Sequence, residues 1–240
     1  MLKASFPVNV NSLRATFEIP YGNIERPTHT NTSWDQEKYE VPAQRWADLS
    51  EFGFGVSILN DSKYSYDIRN NLMRITLLRS PNYPELDADK GLHEFCYSLV
   101  THNGDWRKGG IVRGGYQFNF PVIARGVKPH QGRLTPSFSL AKVDPENVII
   151  EVVKKSEDSD SLIVRLYEYF GARGNVNLSL GFDVKELYET NLLENKKRKF
   201  NLTGRKNKVS FFIKPYEIKT FKLHPHLSPP PLTGGGLEGG

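Results

Sequence analysis

The chain has 240 residues, of which 38% are hydrophobic and 25% are charged. This balance is ordinary for a folded globular protein and is unlike that of a disordered or a membrane protein. The net charge of +5 arises from 32 Lys and Arg against 27 Asp and Glu. So small and scattered an excess does not indicate a nucleic-acid-binding protein. We find no basic leader followed by an apolar stretch and no long apolar run, and we therefore expect a cytoplasmic protein that does not bind membranes.

The first unusual segment, residues 24–35, mixes Arg, His, Trp and small hydroxyl side chains without an apolar period. Aromatic platforms combined with hydrogen-bonding side chains are typical of sugar sites. This composition makes His29 and Trp34 candidate substrate-binding residues. The alternative is a long structural connection, continued by residues 42–49 and held in place by buried Trp34 and Trp46.

Three segments with strand composition follow, at residues 55–59, 64–69 and 73–77. Asn60-Asp61 ends the first segment, and Asn70-Asn71 separates the other two. Because Asn tolerates positive φ angles, Asn70-Asn71 predicts a two-residue hairpin turn. We expect the three strands to be consecutive members of one meander.

Two clusters of acidic residues are candidates for a catalytic pair, because two carboxylates are the minimum set for glycoside cleavage. Asp87-Ala88-Asp89 follows an irregular stretch and is predicted to be a solvated loop, with contact to a ligand as the alternative. The second cluster, residues 157–160, lies between two strand patterns and is predicted to be a solvated turn. Neither cluster predicts a catalytic pair.

The middle of the chain is harder to assign. The single cysteine, Cys96, lies in an apolar run, which predicts a buried and inert thiol. Residues 107–113 fit a short helix or a strand equally well. Five Gly and Pro residues between positions 125 and 147 predict an extended connection between two domains.

Strict alternation of apolar and polar residues is clearest in the second half, at residues 162–166, 176–182 and 209–213. The basic block Lys196–Lys199 is predicted to be a solvated turn between two strands. Aromatic residues reach 12% of the chain, which also favours sheets. The predicted fold class is all-β: a large antiparallel β-sandwich domain at 1–134, a smaller β-sandwich at 135–223 and a flexible or vector-derived tail at 224–240.

Catalytic machinery is not visible in the sequence. The six histidines show no metal-ligand spacing beside carboxylates, and neither a nucleophile elbow nor a phosphate-binding glycine loop is present. We predict no catalytic residue, no metal ligand and no cofactor in this chain.

A set of motifs nevertheless occurs in a specific order along almost the whole chain. They begin with Phe17–Gly22, Glu25–Thr28 and Asn31–Asp35, and continue with Val41–Ala43, Arg45-Trp46, Asp48–Glu51, Leu77–Pro81, His93–Phe95, Pro136–Leu140, Pro145–Val148 and Arg165–Glu168. Together these motifs resemble the C-terminal region of family 38 glycoside hydrolases, the α-mannosidases of cytosolic and microbial type.

The resemblance implies the function. Members of this family carry an α/β catalytic domain with a zinc site and an Asp nucleophile ahead of this region, and neither is present here. The chain is therefore expected to support that domain, which is its partner, in the hydrolysis of terminal α-mannosides. It is expected to be inactive alone. A homo-oligomer is left open as its assembly. The alternative is a stand-alone carbohydrate-binding β-sandwich module.

The resemblance also implies two further substrate-binding candidates, Asp89 and Lys90. In related enzymes a loop around an Asp-X-Arg-Gly-like stretch approaches the substrate, and its nearest counterpart here is residues 87–91. Lys90 stands where the family has Arg, and a Lys ammonium does not reproduce the bidentate fork of a guanidinium.

Overall fold

The computed structural model describes residues 1–132, 136–204 and 206–225. The chain divides into two compact units, Met1–Lys128 and Pro129–Gly240. The predicted domain boundary at residues 134 and 135 lies outside the described residues. The tail predicted at 224–240 begins too early, because His224 and Pro225 end a strand; its remainder lies outside the described residues. All pairings between the described strands are antiparallel, and the all-β sandwich prediction is confirmed.

Unit 1 contains nine strands and two helices. In chain order they are β1 (Leu2–Pro7), β2 (Arg14–Ile19), β3 (Gly22–Pro27), α1 (Ser33–Gln36), β4 (Val41–Pro42), β5 (Trp46–Glu51), β6 (Phe54–Asn60), β7 (Ser65–Arg69), β8 (Leu72–Leu78), β9 (Tyr97–Asn103) and α2 (Ile111–Asn119). One sheet has the order β1-β8-β7-β4 and the other β3-β2-β5-β6-β9. Their facing apolar side chains, including Phe17, Leu49, Ile58, Tyr66 and Ile75, form one core.

The predicted meander is only partly correct. The hairpin of β7 and β8 is confirmed, and Asn70 at its turn has φ 52°. However, β6 pairs with β5 and β9 in the other sheet, so the three strands do not belong to one sheet. Alternation identifies the buried face of a strand but carries no information about which neighbour it pairs with.

The outer face of the five-stranded sheet is also covered. Residues 107–113, which fit a helix or a strand equally well in the sequence, contain the start of α2 at Ile111. Helix α2 packs on β5 and β6. Tyr116 of α2 lies under the Arg45 guanidinium, 3.7 Å from the ring centroid to Cζ. Arg45 in turn forms an ion pair with Glu18 at 2.8 Å. Burial raises the pKa of Glu18, although its hydrogen bonds with Arg45 act in the opposite direction.

A polar cluster lies on this same outer face. The Asp48 carboxylate accepts hydrogen bonds from Ser50 at 2.5 Å and from Ser57 at 2.6 Å, and its Oδ2 lies 2.7 Å from His102 Nε2. The ring of His102 is held between two glycines: a Cβ at Gly55 would lie 2.3 Å from the ring and one at Gly109 2.6 Å. The cluster therefore fastens β9 to β5 and β6.

Unit 2 contains β10 (Ala141–Asp144), β11 (Val148–Lys155), β12 (Leu162–Glu168), β13 (Gly174–Leu180), β14 (Val184–Thr190), β15 (Lys196–Phe200), β16 (Lys208–Ile213) and β17 (Ile218–Pro225). A three-stranded sheet β10-β13-β16 faces a five-stranded sheet β11-β12-β17-β14-β15. The predicted alternation holds on β13, where Val176, Leu178 and Leu180 are all buried. It is wrong for β12, because Ile163 and Tyr167 on its other face are buried as well.

Several local predictions for the rest of the chain need correction. Lys196–Lys199 is not a turn but most of β15, an edge strand, where four charges protect the open edge against further pairing. Cys96 is exposed instead of buried. The predicted connection at 125–147 contains a strand, β10. The acidic cluster at 157–160 does lie between β11 and β12, as predicted.

One buried carboxylate organises the loops at one end of unit 2. Glu168 is 0% exposed. It accepts hydrogen bonds from the backbone N–H groups of Phe170 (2.8 Å), Gly171 (2.9 Å) and Tyr216 (3.0 Å), and from the side chain of Asn147 (2.9 Å). Four donors satisfy this carboxylate.

Candidate functional site

A polar cleft in unit 1 is the best candidate for a functional site. It lies beside α1, and we call it the α1 cleft; its charged lining residues are Arg26, Asp35, Lys38, Asp67 and Arg69, and His29 lines it as well. Phe17 and Tyr66 of the core form part of its wall. Residues from β2, β3, the α1 segment, β4 and β7 therefore meet at one end of this sandwich.

The α1 segment is shaped by its own hydrogen bonds. Thr32 is the N-cap of α1: its hydroxyl accepts from Asp35 N at 3.1 Å and donates to Asp35 Oδ2 at 2.7 Å. The hydrogen bond from Thr32 is the main cause that lowers the pKa of Asp35, and the charges of Lys38 and His29 act in the same direction. The Asp35 carboxylate lies 3.9 Å from His29 Nδ1 and 3.8 Å from Lys38 Nζ.

The second carboxylate of the cleft, Asp67 on β7, is also surrounded by cations. It forms an ion pair with Arg74, one with Arg69 at 3.1 Å and a longer one with Lys3 at 3.8 Å. Lys3 also pairs with Glu40 at 2.5 Å. Both acidic side chains of the α1 cleft therefore have basic partners within the cleft or at its margin.

Arg26 differs from its neighbours. Its guanidinium lies over the ring of Phe17, 4.7 Å from the centroid, and burial lowers its pKa. Its Nη1 atom is buried and has no hydrogen-bond partner among the described residues. No ion pair of Arg26 occurs within residues 1–132, 136–204 and 206–225.

The predicted sugar-contacting segment, residues 24–35, is thus partly a strand and partly a lining of the α1 cleft. Residues 24–27 belong to β3, and residues 42–49 contribute to β4 and β5. His29 lines the α1 cleft. Trp34 on α1 is 80% exposed, whereas Trp46 is 0% exposed. The alternative in which both tryptophans are buried is therefore wrong for Trp34.

The other two predicted site residues lie elsewhere. Asp89, with φ 60°, accepts a hydrogen bond from Ser80 N at 2.8 Å, and its carbonyl oxygen lies 2.9 Å from His93 Nε2. Lys90 forms an exposed ion pair with Asp87. Neither Asp89 nor Lys90 is among the described residues that line the α1 cleft, so the four candidates do not form one site.

Five charged residues of the cleft were not among the predicted site residues: Arg26, Asp35, Lys38, Asp67 and Arg69. The orientation of Arg26 is visible only in the structure. Arg26 lies two residues after Ile24, which pairs with Phe17 across the β2–β3 ladder, so Arg26 projects from the same face as Phe17. A cation there is unusual unless something pairs with it.

A metal centre does not fit these residues. Across the described parts of the chain, no group of three or more His, Cys, Asp or Glu side chains is arranged to hold a metal ion. The donor set that zinc requires is therefore not found in the part that the structure describes. No described helix has the length and apolar character needed to cross a membrane.

Comparison with known proteins identifies both units. Residues 1–87 match the family model "Glycosyl hydrolases family 38 C-terminal domain", and residues 147–221 match "Glycosyl hydrolases family 38 C-terminal beta sandwich domain". The chain belongs to the C-terminal region of glycosyl hydrolase family 38. The resemblance predicted from the ordered motifs is confirmed.

Relatives of this family 38 chain are much longer than it is. It is 40% identical over 233 residues to human "Alpha-mannosidase 2C1", covering 96% of this chain and 22% of the relative. It is 34% identical over 244 residues to "Alpha-mannosidase" of Saccharomyces cerevisiae, covering 93% and 22%. The chain thus spans about a fifth of the length of these relatives.

A solved structure supports the fold. The crystal structure of an alpha-mannosidase from Enterococcus faecalis V583 superposes with a TM-score of 0.73 at 19% identity, covering 92% of this chain and 25% of that one. At this identity the similarity establishes the β-sandwich fold of the family 38 chain.

Proposed function

We propose that this chain is the non-catalytic C-terminal β-sandwich portion of an α-mannosidase. One observation carries the proposal: two family 38 C-terminal models match the chain one after the other. The chain also aligns with about a fifth of the length of relatives that are named as α-mannosidases. In the complete enzyme the chain supports an α/β catalytic domain that acts on terminal α-mannosides. The zinc ion and the retaining chemistry belong to that domain, and the cytoplasm is the proposed location.

The surface that helps to shape the sugar site is, in this proposal, the face of unit 1 around α1. Trp34 offers an exposed ring on which a sugar face stacks, while His29 and Asp35 next to it offer hydrogen-bonding groups. Asp89 and Lys90 remain separate candidates for contact with the substrate. A homo-oligomer also remains a prediction.

A chimera tests the proposal. The purified chain, supplied with zinc, is expected not to hydrolyse an aryl α-mannoside. When the chain replaces the corresponding part of the yeast α-mannosidase, with which it shares 34% identity, we expect an active enzyme because the support function is retained. A folded but inactive chimera, or metal-dependent turnover by the chain alone, would contradict the proposal.

The alternative function is a stand-alone carbohydrate-binding module, and the exposed ring of Trp34 is the observation in its favour. Calorimetry with mannose oligosaccharides separates the two. A module binds saturably, loses binding in Trp34→Ala and keeps it in the control Phe52→Ala, since Phe52 is 106% exposed and lies outside the α1 cleft. A supporting domain shows no saturable binding on its own.

A further inference from the structure

The α1 cleft contains a cation, Arg26, with one buried nitrogen whose hydrogen-bonding capacity is not used among the described residues. A guanidinium has five N–H donors in a fixed fork, and Nη1 of Arg26 is buried without a partner among the described residues. Contact with the face of Phe17 at 4.7 Å offsets part of the lost hydration but accepts no hydrogen bond along the plane of the fork. An acceptor that the described side chains do not supply is therefore expected at this position.

The two carboxylates of the cleft are not that acceptor. Asp35 is engaged by Thr32 at 2.7 Å and lies near Lys38 and His29. Asp67 is engaged by Arg69 and by Arg74. Because these acids already have basic partners, Arg26 adds a positive charge that the cleft does not balance.

We propose that the α1 cleft binds an oxyanion of the phosphate, sulfate or carboxylate class through the guanidinium of Arg26. A guanidinium fork matches two oxygens of such a group in a bidentate arrangement. The enclosed space of the cleft is about 30 Å³, room for about two water molecules, so an oxyanion bound there keeps part of its surface in solvent. The site goes beyond the proposed function, and it stands or falls independently of any contact with a neutral sugar.

Calorimetric titration with inorganic phosphate, at constant ionic strength set with NaCl, tests the site. The wild-type chain is expected to bind phosphate saturably, and Arg26→Gln is expected to weaken binding tenfold or more. Arg14→Gln is the matched control, because this substitution removes the same charge from the same two-stranded ladder. The side chain of Arg14 is 66% exposed. We expect its affinity to stay within twofold of the wild type. A parallel titration with acetate distinguishes a phosphate-type from a carboxylate-type ligand.

A second measurement uses only the wild-type chain, so that a misfolded variant does not decide the result. In a ¹⁵N-¹H NMR titration with phosphate, the amides of Thr30 and Ile68, which line the α1 cleft, are expected to shift along saturable curves. Absence of saturable binding, equal losses in both arginine variants, or shifts spread evenly over basic residues outside the cleft would each overturn the proposal. Sugar calorimetry reports separately on the proposed function.

Discussion

The two units differ in whether a charged group at the margin of the sandwich core has hydrogen-bond partners. In unit 2, Glu168 is fully buried and accepts backbone hydrogen bonds from Phe170, Gly171 and Tyr216. In unit 1, Arg26 has a buried donor without an acceptor among the described residues. A satisfied charge holds loops together, whereas an unsatisfied one costs free energy and has no role in the isolated fold. The contrast separates a structural residue from a candidate binding residue.

The largest expected effect comes from the satisfied group. Glu168→Ala removes the charged acceptor of the backbone N–H groups of Phe170, Gly171 and Tyr216, and a hydrogen bond to a charged group contributes about 1.5–3 kcal/mol. We therefore expect the free energy of unfolding, measured by urea denaturation, to fall by at least about 3 kcal/mol. The control Glu157→Ala removes an 80% exposed carboxylate and is expected to cost less than about 1 kcal/mol. Equal effects of the two changes would show that burial of Glu168 does not organise the loops.

A smaller effect is expected from acid titration of another satisfied group in unit 2. Hydrogen bonds from Lys154 and then Ser156 lower the pKa of Glu194 from 4.5 to about 2. Because the folded pKa lies below the unfolded one, the stabilisation is present above pH 4.5 and is lost as the pH falls toward 2.

Glu194→Gln should therefore flatten the pH dependence of the free energy of unfolding in this window, by at most about 1.4 kcal/mol per pH unit for one proton. Glu94 is exposed and forms no ion pair among the described residues, so Glu94→Gln should leave the slope unchanged. An unchanged slope in Glu194→Gln would mean that the Lys154 contact does not persist in solution.

The same contrast shows what sequence reasoning reaches. Alternation at Val176, Leu178 and Leu180 predicted a strand and its buried face, because both follow from the two-residue period of the backbone. The sheet to which β6 belongs was not predictable in this way, because pairing depends on distant neighbours. Lys197 and its basic neighbours suggested a turn because charge is typical of loops, yet an edge strand uses the same residues to remain unpaired.

The candidate site was reached only in part. His29 and Trp34 were predicted from residue type alone, and only His29 lines the α1 cleft. Asp67 and Arg69 come from β7, more than 30 residues further along the chain, and only the packing of the two sheets brings them to the cleft. Arg26 was overlooked because residues 24–35 show no apolar period and were interpreted as a loop, whereas the strand that orients Arg26 continues to Pro27.

The smallest expected effect on stability belongs to Arg26 itself. Arg26→Met removes a partly buried cation whose Nη1 atom has no hydrogen-bond partner among the described residues, and leaves a flexible apolar side chain against Phe17. The lost cation–π contact, about 0.5–2 kcal/mol, is offset by the removal of the desolvated charge. We expect urea denaturation to give a free energy of unfolding within about 1 kcal/mol of the wild type.

Addition of phosphate is then expected to separate the stabilities of the wild type and Arg26→Met. A ligand that binds only the folded state stabilises it by RT ln(1 + [L]/Kd), so the wild type gains stability with concentration and Arg26→Met does not. Glu168→Ala should lose stability equally with and without phosphate, because Glu168 belongs to unit 2 and the anion to unit 1. If Arg26→Met instead destabilised the chain as much as Glu168→Ala, Arg26 would be a structural residue whose acceptor is already within the fold, and the contrast between the two units would disappear.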